Sequence, residues 1–91
     1  MTKQEIVMPV IHMNGTSVED LLLDNAQAKN AIDDAVYRIL KMEFNRRDYC
    51  PVPGSWTATL SQRMEIIKSL RDASEFFEAI SEHCADEMLK K

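Results

Sequence analysis

Two short polar stretches carry most of the groups that could do chemistry in this 91-residue chain, whose sequence begins MTKQEIVMPVIHMNGTSVED. The first, 12–17 (HMNGTS), sets an imidazole, an amide and two hydroxyls where a helix is about to start. Free backbone N–H groups and the positive end of a helix dipole converge at such a place, and together they bind anions. His12 and Asn14 read equally as binding or turn-making groups, whereas simple capping is the stronger reading of Thr16, Ser17 and Glu19. The second stretch, Arg46-Arg47-Asp48-Tyr49, concentrates two guanidinium groups, a carboxylate and a phenol. A guanidinium grips phosphate in a two-pronged fork and stacks on a base, and a phenol supplies a flat platform. The plainer reading is an Arg47–Asp48 ion pair with Tyr49 packed on the domain. A third pair, Asn25 and Lys29, puts an amide and an amine on an otherwise apolar stripe, which costs free energy unless something satisfies them. If copies of the chain met along that stripe, Lys29 would be a phosphate contact.

Enzymatic signatures are missing. His12 and His83 fall on different segments, and there is no H-E-x-x-H, Gly-rich phosphate loop or nucleophile elbow. Asp33-Asp34 and Asp86-Glu87 are adjacent pairs, so on a helix each points two ways and reads as a solvated face. Cys50 and Cys84 match no metal or redox spacing; they read as reduced thiols, with Cys84 a small core residue and Cys50 a loop residue. No catalytic residue, metal or cofactor is therefore expected.

The elements that position these groups follow from composition and periodicity. The chain is 45% apolar and 29% charged with only two glycines, which describes one small globular domain. Its net charge of −4 argues against a duplex-DNA binder. No apolar run nears the roughly 20 residues of a membrane span, and a signal-peptide pattern is missing from the start. Residues 1–15 read as an extended arm, because Pro9 blocks a helix and the segment is β-branched. Residues 16–44 read as helix 1: Thr16-x-x-Glu19 matches a capping box, Ser17 with Asp20 repeats it one residue later, and Met13 is a candidate staple. Val18, Leu21, Leu22, Ala28, Ile32, Ala35, Val36, Ile39 and Leu40 keep helical spacing. Residues 45–56, with two prolines and Gly54, read as an irregular connector in which Ser55, Thr57 or Thr59 caps the next helix and Trp56 plugs the end. Residues 57–89 read as helix 2, with seven-residue rows Leu70-Phe77-Cys84 and Ile66-Ala73-Ile80, and Leu60 and Met64 nearer its start.

The expected fold is all-α: an antiparallel two-helix hairpin with an extended N-terminal arm, assembled into a homo-oligomer. The oligomer is expected because one pair of helices buries one stripe on each and leaves Leu23, Tyr37, Met42, Phe76 and the arm residues Ile6 to Ile11 unused; the alternative is that the arm and Trp56 cover them within one chain. Stoichiometry, and whether the arm swaps between subunits, stay open.

The string His12-Met13-Asn14-Gly15-Thr16-Ser17, a long helix, Arg47-Asp48-Tyr49 with a Pro-Gly connector, and a second long helix resemble a widespread family of small phage and prophage proteins. The resemblance runs from about residue 11 to 85. Cys50 departs from it, standing where an aromatic commonly follows RDY. Looser and architectural is a similarity to the helical-hairpin phage proteins that sequester cyclic-oligonucleotide signals of CBASS and Thoeris defence, accompanied by a faint Leu70-x-x-Ala73…Phe77-x-Ala79-Ile80 pattern. These likenesses imply a phage-encoded counter-defence protein in the cytoplasm of an infected bacterium, one that holds a small anionic nucleotide between protomers without cleaving it. Arg47 and Lys29 would meet phosphates, and His12, Asn14, Thr16 and Tyr49 the base or ribose. The alternative is a helical inhibitor or adaptor that binds a host protein.

Overall fold

The computed structural model describes residues 5–12 and 15–90. Among them there are two α-helices, one short 3-10 turn and no strand: α1 (Val18–Lys41), the turn Arg46–Asp48, and α2 (Ser55–Leu89). The helices are antiparallel. Val18 packs with Ile80 and Cys84, Asp33 meets Ser74, and the Ile39 carbonyl meets Arg63, so partners on α2 recede along the chain as α1 advances. The result is a rod of 61 × 26 × 19 Å with a radius of gyration of 18.5 Å, against about 13 Å for a compact domain of 100 residues.

Helix α1 starts one step later than the first capping box implies. Ser17 is the N-cap, and its Oγ accepts the Asp20 N–H at 3.1 Å, so Ser17 rather than Thr16 supplies the cap. Glu19 and Asp20 then face the positive end of the dipole, with Arg38 and Lys41 in the last turn. The helix also stops at Lys41 rather than at 44. Met42 leaves in an extended conformation while its N–H still reaches the Arg38 and Ile39 carbonyls, which frees Phe44 to turn onto Trp56. The proposed Met13 staple lies outside the described residues.

The connector is correspondingly 42–54 and less irregular than its prolines suggest. Asn45 Oδ1 accepts the Arg47 N–H at 2.9 Å and nucleates the 3-10 turn. Helix α2 begins at Ser55, two residues early, and none of Ser55, Thr57 or Thr59 caps it. Its N-cap is Gly54 in the left-handed region at φ 79°, a conformation that costs an L-residue roughly 1–2 kcal/mol. Nothing lies within 4 Å of a Cβ placed there. Gly54→Ala is therefore expected to destabilise the fold by about 1 kcal/mol through backbone strain alone, read as a lower urea midpoint at unchanged slope.

Among the described residues the buried apolar ones are Val18, Val36, Ile80 and Cys84. Three of them form one cluster at the open end of the hairpin, where Ile6, Met8, Ile11, Leu21 and Leu22 pack around it. The segment before α1 is fastened there by the Pro9 carbonyl, 3.1 Å from His83 Nε2, so His83 is half-buried rather than an exposed helix-face residue. Its other side, Val7 and Val10, is exposed. Cys84 sits on the seam as expected, fully buried. Leu40, Met64 and Ile66 do not: all three are more than half exposed.

Asp33 is not a bare solvated carboxylate. Lys29 pairs with it one turn back along α1, and Ser74 Oγ donates to it across the seam at 2.6 Å. Those two hydrogen bonds, Lys29 first, hold its carboxyl below the ordinary 3.8. A carboxyl with a lowered folded pKa adds stability above its unfolded value and surrenders it as pH falls through the folded one. The stability gap between the wild type and Ser74→Ala should therefore narrow as acid takes the pH below about 4. A gap that stays constant with pH would mean that Ser74 acts through packing alone.

Candidate functional site

The six residues singled out by sequence fall at three levels of the rod. His12 and Thr16 are exposed at the open end, and Asn14 lies outside the described residues. Lys29 is half-buried near mid-helix. Arg47 and Tyr49 sit at the connector end. Helix α1 alone separates the ends by roughly 36 Å, at 1.5 Å per residue, so one chain cannot close the five described residues around a small molecule.

At the open end the Gly15 N–H donates to the His12 carbonyl at 3.2 Å. The His12 ring folds over Gly15 so closely that a Cβ there would come within 2.7 Å of Nε2. At mid-helix both polar groups are already satisfied. Asn25 Nδ2 donates to the Leu21 carbonyl at 2.7 Å, and Lys29 is raised above its ordinary 10.5, first of all by its hydrogen bond to Asp33. A phosphate at Lys29 would have to compete with that carboxylate.

The connector end is built differently. Phe44 and Trp56 stack with centroids 4.7 Å apart, and Tyr49 leans on both at 5.8 and 5.9 Å. Arg63 lies over Phe44, its guanidinium carbon 4.9 Å from the ring centroid. Its Nη2 also donates to the Ile39 carbonyl at 2.8 Å, capping the last turn of α1 from across the seam. Trp56 thus plugs the end of the hairpin as expected, with Tyr49 half-buried against it. The expected Arg47–Asp48 ion pair does not form; among the described residues Arg46 and Arg47 are exposed and meet no carboxylate. Beside them an open groove of about 670 Å³ is lined by Asp34, Tyr37, Arg38, Ile39, Lys41 and Met42, with the Lys41 ammonium 5.2 Å from the Tyr37 ring centroid.

Charge is segregated to match. Residues 38–63 hold Arg38, Lys41, Arg46, Arg47 and Arg63 against Glu43 and Asp48, a local excess of cations in a chain of net charge −4. The open end is the acidic one. An electropositive loop beside half-buried aromatic rings has the chemistry to hold an anion that carries a flat ring. Among the described residues no cluster of three or more His, Cys, Asp or Glu could hold a metal ion, and no helix is long and apolar enough to cross a membrane.

Arg63 and Phe44 escaped the sequence reading. The signal was there: stepping back by sevens from Cys84, Phe77 and Leu70 lands on Arg63 and then Trp56, so the seam row begins with a cation and a plug. Arg63→Met keeps the stem but removes the carbonyl cap and the ring contact. It should cost about 1–2 kcal/mol and change the near-UV circular dichroism of Trp56; an unchanged midpoint would show that water replaces the guanidinium without loss.

The fold and site together define a small all-helical hairpin with a basic, aromatic tip. No family model, curated protein or solved structure matches the chain.

Proposed function

We propose that this chain is a non-enzymatic binding protein that captures a small anionic nucleotide, of the cyclic-oligonucleotide signal class, in a homo-oligomer. The observation that carries the reading is the connector end: two exposed guanidinium groups without carboxylate partners among the described residues, next to the Phe44–Trp56–Tyr49 stack, in a molecule that is otherwise acidic. Arg46 and Arg47 would grip phosphate, and the edge of Tyr49 would meet a base or ribose. Capture by affinity alone needs no acid, base or nucleophile. The resemblance to small phage proteins and to nucleotide sponges supplies the counter-defence role and the cytoplasm of an infected bacterium as the setting. His12, Thr16 and Lys29 join the site only through another copy, since in one chain they stand too far from Arg47, and Asn14 is proposed to follow its neighbours His12 and Thr16.

Isothermal titration against cyclic di- and trinucleotides tests this. At least one ligand should bind with micromolar affinity or better, and Arg46→Ala and Arg47→Ala should each weaken it about tenfold or more, as a lost charge-assisted hydrogen bond of ~1.5–3 kcal/mol requires. Binding should also fall as salt rises. No heat with any member of the panel would end the proposal.

One observation favours a second reading. Tyr37 and Met42 are each more than half exposed where they line the groove at the end of α1, and a host protein with an acidic, apolar helix would fit there. Under that reading Tyr37→Glu abolishes a stoichiometric host complex and leaves nucleotide binding unchanged.

A further inference from the structure

The rod leaves more surface wet than a chain of its mass should. It exposes 7462 Å², whereas folded monomers near 10.4 kDa expose about 5,400 Å². The excess, about 2,000 Å² on a single chain, exceeds the roughly 800 Å² that each partner of a standard interface removes from water. Part of it is apolar and lies on one flank. Ile66 is 56% exposed and Phe76 41%, and both leave the Arg63-Leu70-Phe77 row on the same side, the side away from the Asp33–Ser74 bridge. On α1, Ala28 and Ala35, one heptad apart and half-buried, form the edge of the seam stripe on that same flank. Large side chains on one helix and small ones on the other make a self-complementary surface, as a two-fold dimer requires.

Charge selects the orientation. The connector end carries Arg38, Lys41, Arg46, Arg47 and Arg63 against two acids, whereas residues 15–29 and 75–90, which form the open end, carry eight acids against Lys29 and Lys90. Copies laid parallel would put acidic end on acidic end. Copies laid antiparallel put basic end on acidic end twice.

Resting on the oligomer in the proposed function, we infer that the Ile66–Phe76 flank seats a second copy of this chain in antiparallel orientation, forming a four-helix dimer. This arrangement brings Arg46 and Arg47 of each copy to the level of the partner's helix α1 start. The two halves of the candidate site, separated in one chain, then meet at both ends of the dimer.

The free thiols report the orientation. Cys50 is exposed at the connector end and Cys84 is fully buried. Burial also pushes the Cys84 thiol above its ordinary value, which keeps it unreactive. Within one chain Asp86 is about 45 Å along α2 from the connector, beyond the span of a short bis-maleimide. Light scattering should give about 21 kDa, twice the chain mass of 10.4 kDa, and the mass should fall towards that of one chain in Phe76→Glu. Asp86→Cys should couple to Cys50 between copies, while the wild type stays uncoupled. A mass near that of one chain, efficient Cys50–Cys50 coupling in the wild type, or no coupling in Asp86→Cys would each overturn the antiparallel dimer. Nucleotide titration of the same sample separates the two claims. A single copy that binds nucleotide removes the dimer and leaves capture standing; an antiparallel dimer that binds none removes capture and leaves the dimer.

Discussion

Two helices in contact share one seam, and the small area of that seam governs the rest of this molecule. Each helix can turn about a third of its circumference towards the other, so a hairpin of this length buries few side chains completely. Here Val18, Ile80 and Cys84 close the open end, and Val36 lies further along α1. The chain strengthens both ends by other means. At the open end Ile6, Met8 and Ile11 pack around the cluster while His83 holds the Pro9 carbonyl. At the connector end three rings and Arg63 take the place that a third helix would fill in a larger domain.

The middle of the seam is held by polar contacts instead. Ser74 is buried and spends its hydroxyl on Asp33, which Lys29 also engages. Such a bridge is directional, so it fixes the register of the helices where apolar packing alone would allow them to slide. Ser81 stands in contrast: its Oγ is buried and without a hydrogen-bond partner among the described residues. A helical serine can turn back to the carbonyl one turn earlier at little cost, so the hydroxyl there adds nothing to register.

The same scarcity of seam links architecture to the proposed function. A rod that cannot cover its own flanks offers them to another molecule, and a rod with cations at one end and carboxylates at the other constrains how that molecule lies. Under the proposed function, a basic tip in an acidic chain would attract small anions, whereas the long polyanion of a duplex would meet the repulsive remainder of the surface.

Local physics made much of the framework legible in the sequence. The 3.6-residue spacing from Val18 to Ile39, the overlapping caps at 16–20 and the seven-residue row through Cys84 determine two helices and which stripe of each is apolar, because these depend on residues a turn or two apart. Gly54 and the prolines mark the reversal for the same reason. Tertiary structure decided where α1 stops, since Arg63 reaches the Ile39 carbonyl from 24 positions away. It decided that Asp33 faces Ser74, that His83 holds the segment before α1, and that Leu40, Met64 and Ile66 stay in water although their spacing suits a core. It also set the candidate groups at opposite ends of a rod. Periodicity states which way a side chain leans from its own helix axis; only the second helix, once docked, determines whether anything is there to meet it.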